Sequence, residues 1–445
     1  MTYRGALGPV LLGAALISAL SGCSGTLDSL GGDRSASGGS ASESGGSAGV
    51  PSSLQPFTPP APYPNTFTSV LGVNASDVST RLEDAFQKLF YSTDENQTIY
   101  VPYSPNSSYI QDPLHGNDVR SEGIGLAMVI MVALGHRPEF DQLWTYAKEN
   151  LKQGAGPGRD YFTSYCDDDT ITPCLDTYGM QQFALALILA NRRWIATDSA
   201  PGYARDALSL LDLLKNGVGS PFDPVTHLVR EQPSLALTDY TRSALEMPGA
   251  YALWYRASGD AFWDEAAKAA RLHLEKSAND KTGLWPIRSK IASGSPASSG
   301  GIVSGGFIAQ GYRTQLNLAL DAAWRTGVAD QTQTSVADKL LIFFDQASTN
   351  HDLTTYGANF TVDGTLTLDD GITPDPNGPT PSQALISVNG ALVVAASATG
   401  TSPQLRHDFV NAVWQQDIPS GKNRYYEGLL YLMSWVILSG QLQVY

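Results

Sequence analysis

Residues 117–135 read NDVRSEGIGLAMVIMVALG, and the fold follows from how this stretch is read. Asp118, Arg120 and Glu122 come first, and Ile124 to Leu134 is then apolar apart from Gly125. An apolar run with no polar face marks a helix buried inside a domain rather than laid on its surface. The run is too short to cross a bilayer. Ser121 is a favourable N-cap, so the spacing predicts that Glu122 opens the helix. A carboxylate at the N-terminal end of a buried helix is where a protein places an acid of tuned pKa; the plainer alternative is that Glu122 only complements the helix dipole.

Outward from this helix, Gly135-His136 makes a tight break. Phe140, Leu143, Trp144, Ala147 and Leu151 then form a single stripe, with Lys148 and Glu149 off it. A wholly apolar helix is thus followed by an amphipathic one, and the alternation recurs. Residues 183–190 (FALALILA), 384–396 and 429–438 are apolar nearly all round, whereas Ala204, Ala207, Leu208, Leu211 and Leu214 make another stripe. Twelve helical patterns lie near 75–91, 120–134, 137–152, 178–194, 202–215, 241–257, 260–278, 308–326, 332–348, 382–398, 403–415 and 424–439, and strand alternation is scarce. Short links alternate with the long connections 92–119, 153–177, 216–240, 279–307 and 349–381. Six inner and six outer antiparallel helices paired by tight turns predict an all-α fold, an α/α toroid of six hairpins. The long loops then gather where the inner helices begin, and loops of that length in a compact domain carry function. Glu122 points into that end.

The N-terminus reads as an export signal. Arg4 supplies the positive charge, Val10 to Leu20 the apolar segment, and Leu20-Ser21-Gly22 the small residues before a cut. Cys23 directly after them resembles the bacterial lipobox, in which the thiol is lipidated. The expected domains are a lipoprotein signal peptide at 1–22, a flexible Ser/Gly/Pro linker at 23–64 and the barrel at 65–445. The protein is then exported and held to a membrane through its lipid alone. With Cys23 set aside, Cys166 and Cys174 remain and flank CDDDTITPC, which a disulfide could close. The rival is a metal site using Asp167, Asp168 and Asp169, but no histidine is near and the spacing is not that of zinc. A net charge of -15 argues against nucleic acid as a partner. A monomer is expected.

Aromatic residues crowd the long loops: Tyr100, Tyr103, Tyr109, Tyr161, Phe162, Tyr165, Trp285 and Tyr356. Flat rings suit sugar faces, and they also plug barrel mouths. Trp285, in TGLWP, is the strongest stacking candidate among them. Residues 117–135 with FDQLW after them, TGLWP, YRTQLNLALDAAW (312–324) and NRYYEGLLYLMSWVILSGQLQVY (423–445) together resemble glycoside hydrolase family 8. That family includes endo-β-1,4-glucanases, chitosanases and xylan-acting enzymes. The resemblance spans residues from about 80 to 445 and implies the same six-hairpin barrel. It also implies inverting hydrolysis, in which an acid protonates the leaving oxygen and a carboxylate across the sugar activates water. No metal or cofactor is required by that chemistry.

Residue by residue, the resemblance makes Glu122 the general acid, Arg313 a cleft arginine, and Tyr425 and Tyr426 cleft or cleft-floor tyrosines. Two positions depart from the family. Where an Asp-x-Asp-like element leads into the fourth helix, this chain has Tyr178 and Met180, with Asp176 two residues upstream. Where the family's base stands, three residues before Arg313, it has Gln310, which orients water but accepts no proton near neutral pH. Asp176, the Asp167–Asp169 run and Asp239 are candidates for the base by position, and Asp176 is taken with Glu122 as the expected catalytic pair. Tyr178, Trp285, Gln310, Arg313, Tyr425 and Tyr426 are the expected substrate contacts. The expectation is a hydrolase of a β-1,4-linked polysaccharide, glucan-like or an exopolysaccharide. The alternatives are a glycan-binding lipoprotein that has lost its base and, with thinner support, a polysaccharide lyase.

Overall fold

A computed structural model describes residues 53–154, 159–163, 174–194, 202–234, 238–297, 305–325 and 331–445. Six helices line the inside: α2 (Ser121–Leu134), α4 (Thr177–Arg193), α6 (Pro248–Ser258), α8 (Arg313–Trp324), α10 (Gln383–Leu392) and α12 (Arg424–Leu438). Six lie outside them: α1 (Ala75–Tyr91), α3 (Arg137–Tyr146), α5 (Tyr203–Asn216), α7 (Ala261–Ser277), α9 (Gln331–Ala347) and α11 (Pro403–Gln415). Each inner helix packs on the next, and α12 returns to α2, so the ring closes. Burial explains the division. Every residue from Gly123 to Ala133 in α2, and from Thr177 to Ala190 in α4, is buried. Each large aliphatic side chain so enclosed contributes about 1.5–3 kcal/mol, which pulls these segments inward. The striped helices cover the ring with one face.

Four helices are shorter than their sequence patterns; the third gives way after Tyr146 to a wider π-helical turn, Ala147–Leu151. The sixth starts at Pro248 because β4 (Tyr240–Thr241) pairs with β5 (Ser289–Lys290) first, and a proline at the first helical position is pre-set for the turn. The eighth starts at Arg313, after β6 (Gly306–Phe307) pairs with β7 (Phe360–Thr361). The tenth stops at Leu392 in a series of turns. The connection 92–119 is a three-stranded antiparallel sheet of β1 (Tyr100–Ser104), β2 (Ser107–Asp112) and β3 (Asp118–Val119), in which Tyr100 faces Ile110 and Gln111 faces Val119. It delivers the chain to Glu122.

The expected linker is shorter than 23–64. Residues 53–64 lie along the barrel, where the Gln55 N–H donates to Ala257 O at 2.7 Å and Tyr63 OH donates to Leu442 O at 3.2 Å. The Arg192 guanidinium lies 4.0 Å from the Phe57 ring centre. All three contacts are at the C-terminal ends of inner helices. Apolar Leu54, Phe57 and Tyr63 pack on the core, which a solvated linker would not do. The signal segment, Cys23 and the Ser/Gly-rich stretch lie outside the described residues, among which no helix is long and apolar enough to cross a membrane.

Candidate active site

The inner helices all begin at one end of the ring, and a half-open cleft of about 920 Å³ lies over those six starts. Unpaired N–H groups and positive dipole ends converge there, favouring negative charge. Glu122 stands on its floor in the first turn of α2. Ser121 is not the cap expected of it: Arg120 holds that position, and Ser121 is already helical. Two glycines permit the close packing around Glu122. A Cβ on Gly123 would overlap the Tyr425 ring. One on Gly179 would lie 2.5 Å from Asp176 Oδ2 and 2.7 Å from the Glu122 nitrogen.

Arg313 reaches from α8, on the far side of the ring, and its Nη1 lies 2.5 Å from Glu122 Oε1. Its guanidinium also lies 4.4 Å from the ring centre of Tyr178. Burial alone would lower the Arg313 pKa, but Glu122 and the neighbouring phenols and Asp176 outweigh it and the pKa is raised. Arg313 is therefore a fixed cation that sets the orientation of Glu122. Tyr425 is buried with its hydroxyl unpartnered, and Tyr426 OH donates to Ala309 O.

Asp176 stands beside Glu122, since α2 and α4 are neighbours, and not across the cleft from it. Ser121 Oγ lies 2.7 Å from Asp176 Oδ2 and 2.8 Å from Thr163 O. One hydroxyl hydrogen cannot serve two acceptors. Burial first, and the charge of Glu122 second, push the Asp176 carboxyl upward. Ser121 Oγ therefore donates to one of the two oxygens, Asp176 Oδ2 or Thr163 O, at a time. Burial disfavours the charged form that a base needs, and Asp176 lies on the acid's own side of the cleft, in contact with the Glu122 turn through Ser121.

Other expectations divide. Tyr178, Gln310, Arg313, Tyr425 and Tyr426 all border the cleft. Trp285 does not: it is 1% exposed, and its Nε1 donates to Leu274 O at 2.8 Å, so it is core. Tyr161 and Tyr356 are likewise core, where the alternation of loop and helix could not place them. Asp239 is exposed and does not line the cleft. Cys174 is disulfide-bonded, while Cys166, Tyr165 and Asp167–Asp169 lie outside the described residues.

Sequence reasoning missed a cluster on the α6 and α8 side. Gln310 Oε1 accepts from Arg242 Nη1 at 2.7 Å. Arg242 Nη2 pairs with Glu231 Oε1. Arg288 binds the same carboxylate through two bonds, Nε to Oε2 at 2.8 Å and Nη2 to Oε1 at 2.6 Å. Glu231, Arg242 and Arg288 all line the cleft.

Known proteins resemble this chain over most of its length. The reducing-end xylose-releasing exo-oligoxylanase Rex8A of Paenibacillus barcinonensis is 29% identical over 389 residues, covering 84% of this chain and 94% of the relative. The exo-oligoxylanase of Halalkalibacterium halodurans is 28% identical over 395 residues, covering 86% and 94%. The chain is a glycoside hydrolase. Among solved structures, a family 8 xylobiose complex from Teredinibacter turnerae superposes on this hydrolase with a TM-score of 0.75 at 27% identity, covering 86% of this chain and 98% of that one. Relatives and neighbours alike support family 8. No protein-family model matches the hydrolase.

Proposed function

We propose that this hydrolase cleaves a β-1,4-linked polysaccharide, glucan-like or a bacterial exopolysaccharide, by inversion, with Glu122 as the proton donor. The observation that carries the reading is Glu122 on the cleft floor, oriented by a buried arginine from the opposite helix. In this reading the scissile oxygen lies above Glu122, which protonates it as the C1–O bond breaks, while water adds to C1 from the far face. Tyr426, half-buried at the cleft, offers ring surface for the sugar. The names of the relatives bring oligoxylans into the set of substrates to test. We also propose that the protein is exported and held to a membrane through a lipid on Cys23.

The glycan-binding alternative rests on Gln310. The protein carrying residues 53–445 should be incubated with β-glucans, xylan, oligoxylans and chitosan while new reducing ends are counted. Release by wild type is expected, together with a loss of about 10²–10⁴-fold in Glu122→Gln with glycan affinity retained. Affinity without release in wild type would decide for binding alone, and full activity in Glu122→Gln would remove the acid.

A further inference from the structure

We propose that Glu231 is the general base, taking the role that Gln310 has vacated; the proposal rests on the inverting reading above. Inversion requires acid and base on opposite faces of the sugar, about 6.5–9.5 Å apart, with a water between. Glu122 belongs to α2, and the ring places α8 opposite it. Glu231 is on the α8 side, joined to Gln310 through the single guanidinium of Arg242. Its carboxylate therefore lies one guanidinium width beyond the amide that stands in the base position.

Three of the other cleft carboxylates are committed elsewhere. Asp112 is 3% exposed and pairs with Arg120 and His115. Asp176 is on the acid's own side. Glu427 accepts from the hydroxyl of Ser382 and the N–H of Gln383 at the start of α10, and burial pushes its carboxyl upward. Asp369 stands exposed at the rim.

The lone-pair count leaves Glu231 room to act. An ionised carboxylate has about four acceptor sites. Arg242 and Arg288 take two on Oε1, and Arg288 takes one on Oε2. One site on Oε2 remains for water. The Gln310 amide, with its oxygen held by Arg242, has its NH₂ group left to hold the same water. A carboxylate clamped by two guanidiniums is a weak base, which suffices here. The oxocarbenium-like carbon is strongly electrophilic, so water needs deprotonation only as its bond to C1 forms. In the step, the water oxygen bonds to C1, the C1–O bond to the leaving sugar breaks, Glu122 gives its proton to that oxygen, and one water proton passes to Glu231. Exchange with solvent restores both carboxyl groups.

The test compares wild type, Glu231→Ala and Glu231→Gln on 2,4-dinitrophenyl β-xylobioside and β-cellobioside, with and without sodium azide. Expected is a loss of about 10²–10⁴-fold in hydrolysis for both variants. Azide, which needs no base, should restore turnover in Glu231→Ala and yield the α-glycosyl azide. Wild-type rates in both variants would overturn the role of Glu231 and leave the hydrolase reading standing. Loss without azide rescue would also overturn it, because a displaced Arg242–Arg288 framework would impair azide and water alike. Wild type inert on both glycosides and on the polysaccharide panel would remove the inverting reading and this proposal together.

Discussion

Arg313 Nη1 and Glu122 Oε1 meet at 2.5 Å across the mouth of the ring, joining the first turns of α8 and α2. The pair spans two inner helices that do not pack directly on each other, so it fixes the width of the cleft as well as the rotamer of the acid.

Removing one partner of a buried pair leaves the other charge uncompensated. Arg313→Met should destabilise the fold by about 3 kcal/mol, at the low end for such pairs because cleft water reaches Glu122. It should also lower kcat more than it raises KM. Urea unfolding and steady-state kinetics check both, and an unchanged midpoint would show that the contact carries no stability.

Glu246 gives a pH prediction with a definite sign. It is fully buried ahead of α6 and accepts from the Val229 N–H at 3.1 Å and the Thr241 hydroxyl at 2.9 Å. Burial outweighs both bonds and pushes its carboxyl from 4.5 up to about 8. The folded value lies above the unfolded one, so this stabilisation is complete below about pH 4.5 and is lost as pH rises towards 8. The slope is about 1.4 kcal/mol per pH unit within the window. Glu246→Gln should flatten that part of the stability profile. Parallel profiles for wild type and variant would show that Glu246 holds no proton there.

The lipobox leads to a fractionation experiment. Cys23→Ala should move the protein from the membrane to the soluble fraction, or leave it unprocessed. A variant still cut and still found with membranes would exclude lipidation at Cys23.

The disulfide at Cys174 is expected to pair with Cys166, closing a short loop worth roughly 2–3 kcal/mol. Non-reducing peptide mapping of exported protein should find the two joined. Free thiols on both would reopen the metal reading of the Asp167–Asp169 run.

The sequence reading succeeded where information is local. The apolar α2 and the stripe of α3 follow from periodicity, and so does the place of Glu122 in the first turn of a buried helix. It failed where the third dimension decides. Trp285 and Tyr356 look like the other loop aromatics, and only packing shows that they face inward. Glu231 carries no signal of its own, because its partners Arg242 and Arg288 lie 11 and 57 positions away. Asp176 was noticed for its charge, but its place beside Glu122, against Ser121, is one no spacing reveals. The sheet β1–β3 was missed because its strands are short, and Pro102 interrupts the alternation in β1.

The strap of residues 53–64 runs over the floor of the barrel, at the ends of α4, α6 and α12 remote from the cleft. Residues 53–64 therefore leave uncovered the helix starts that border the cleft.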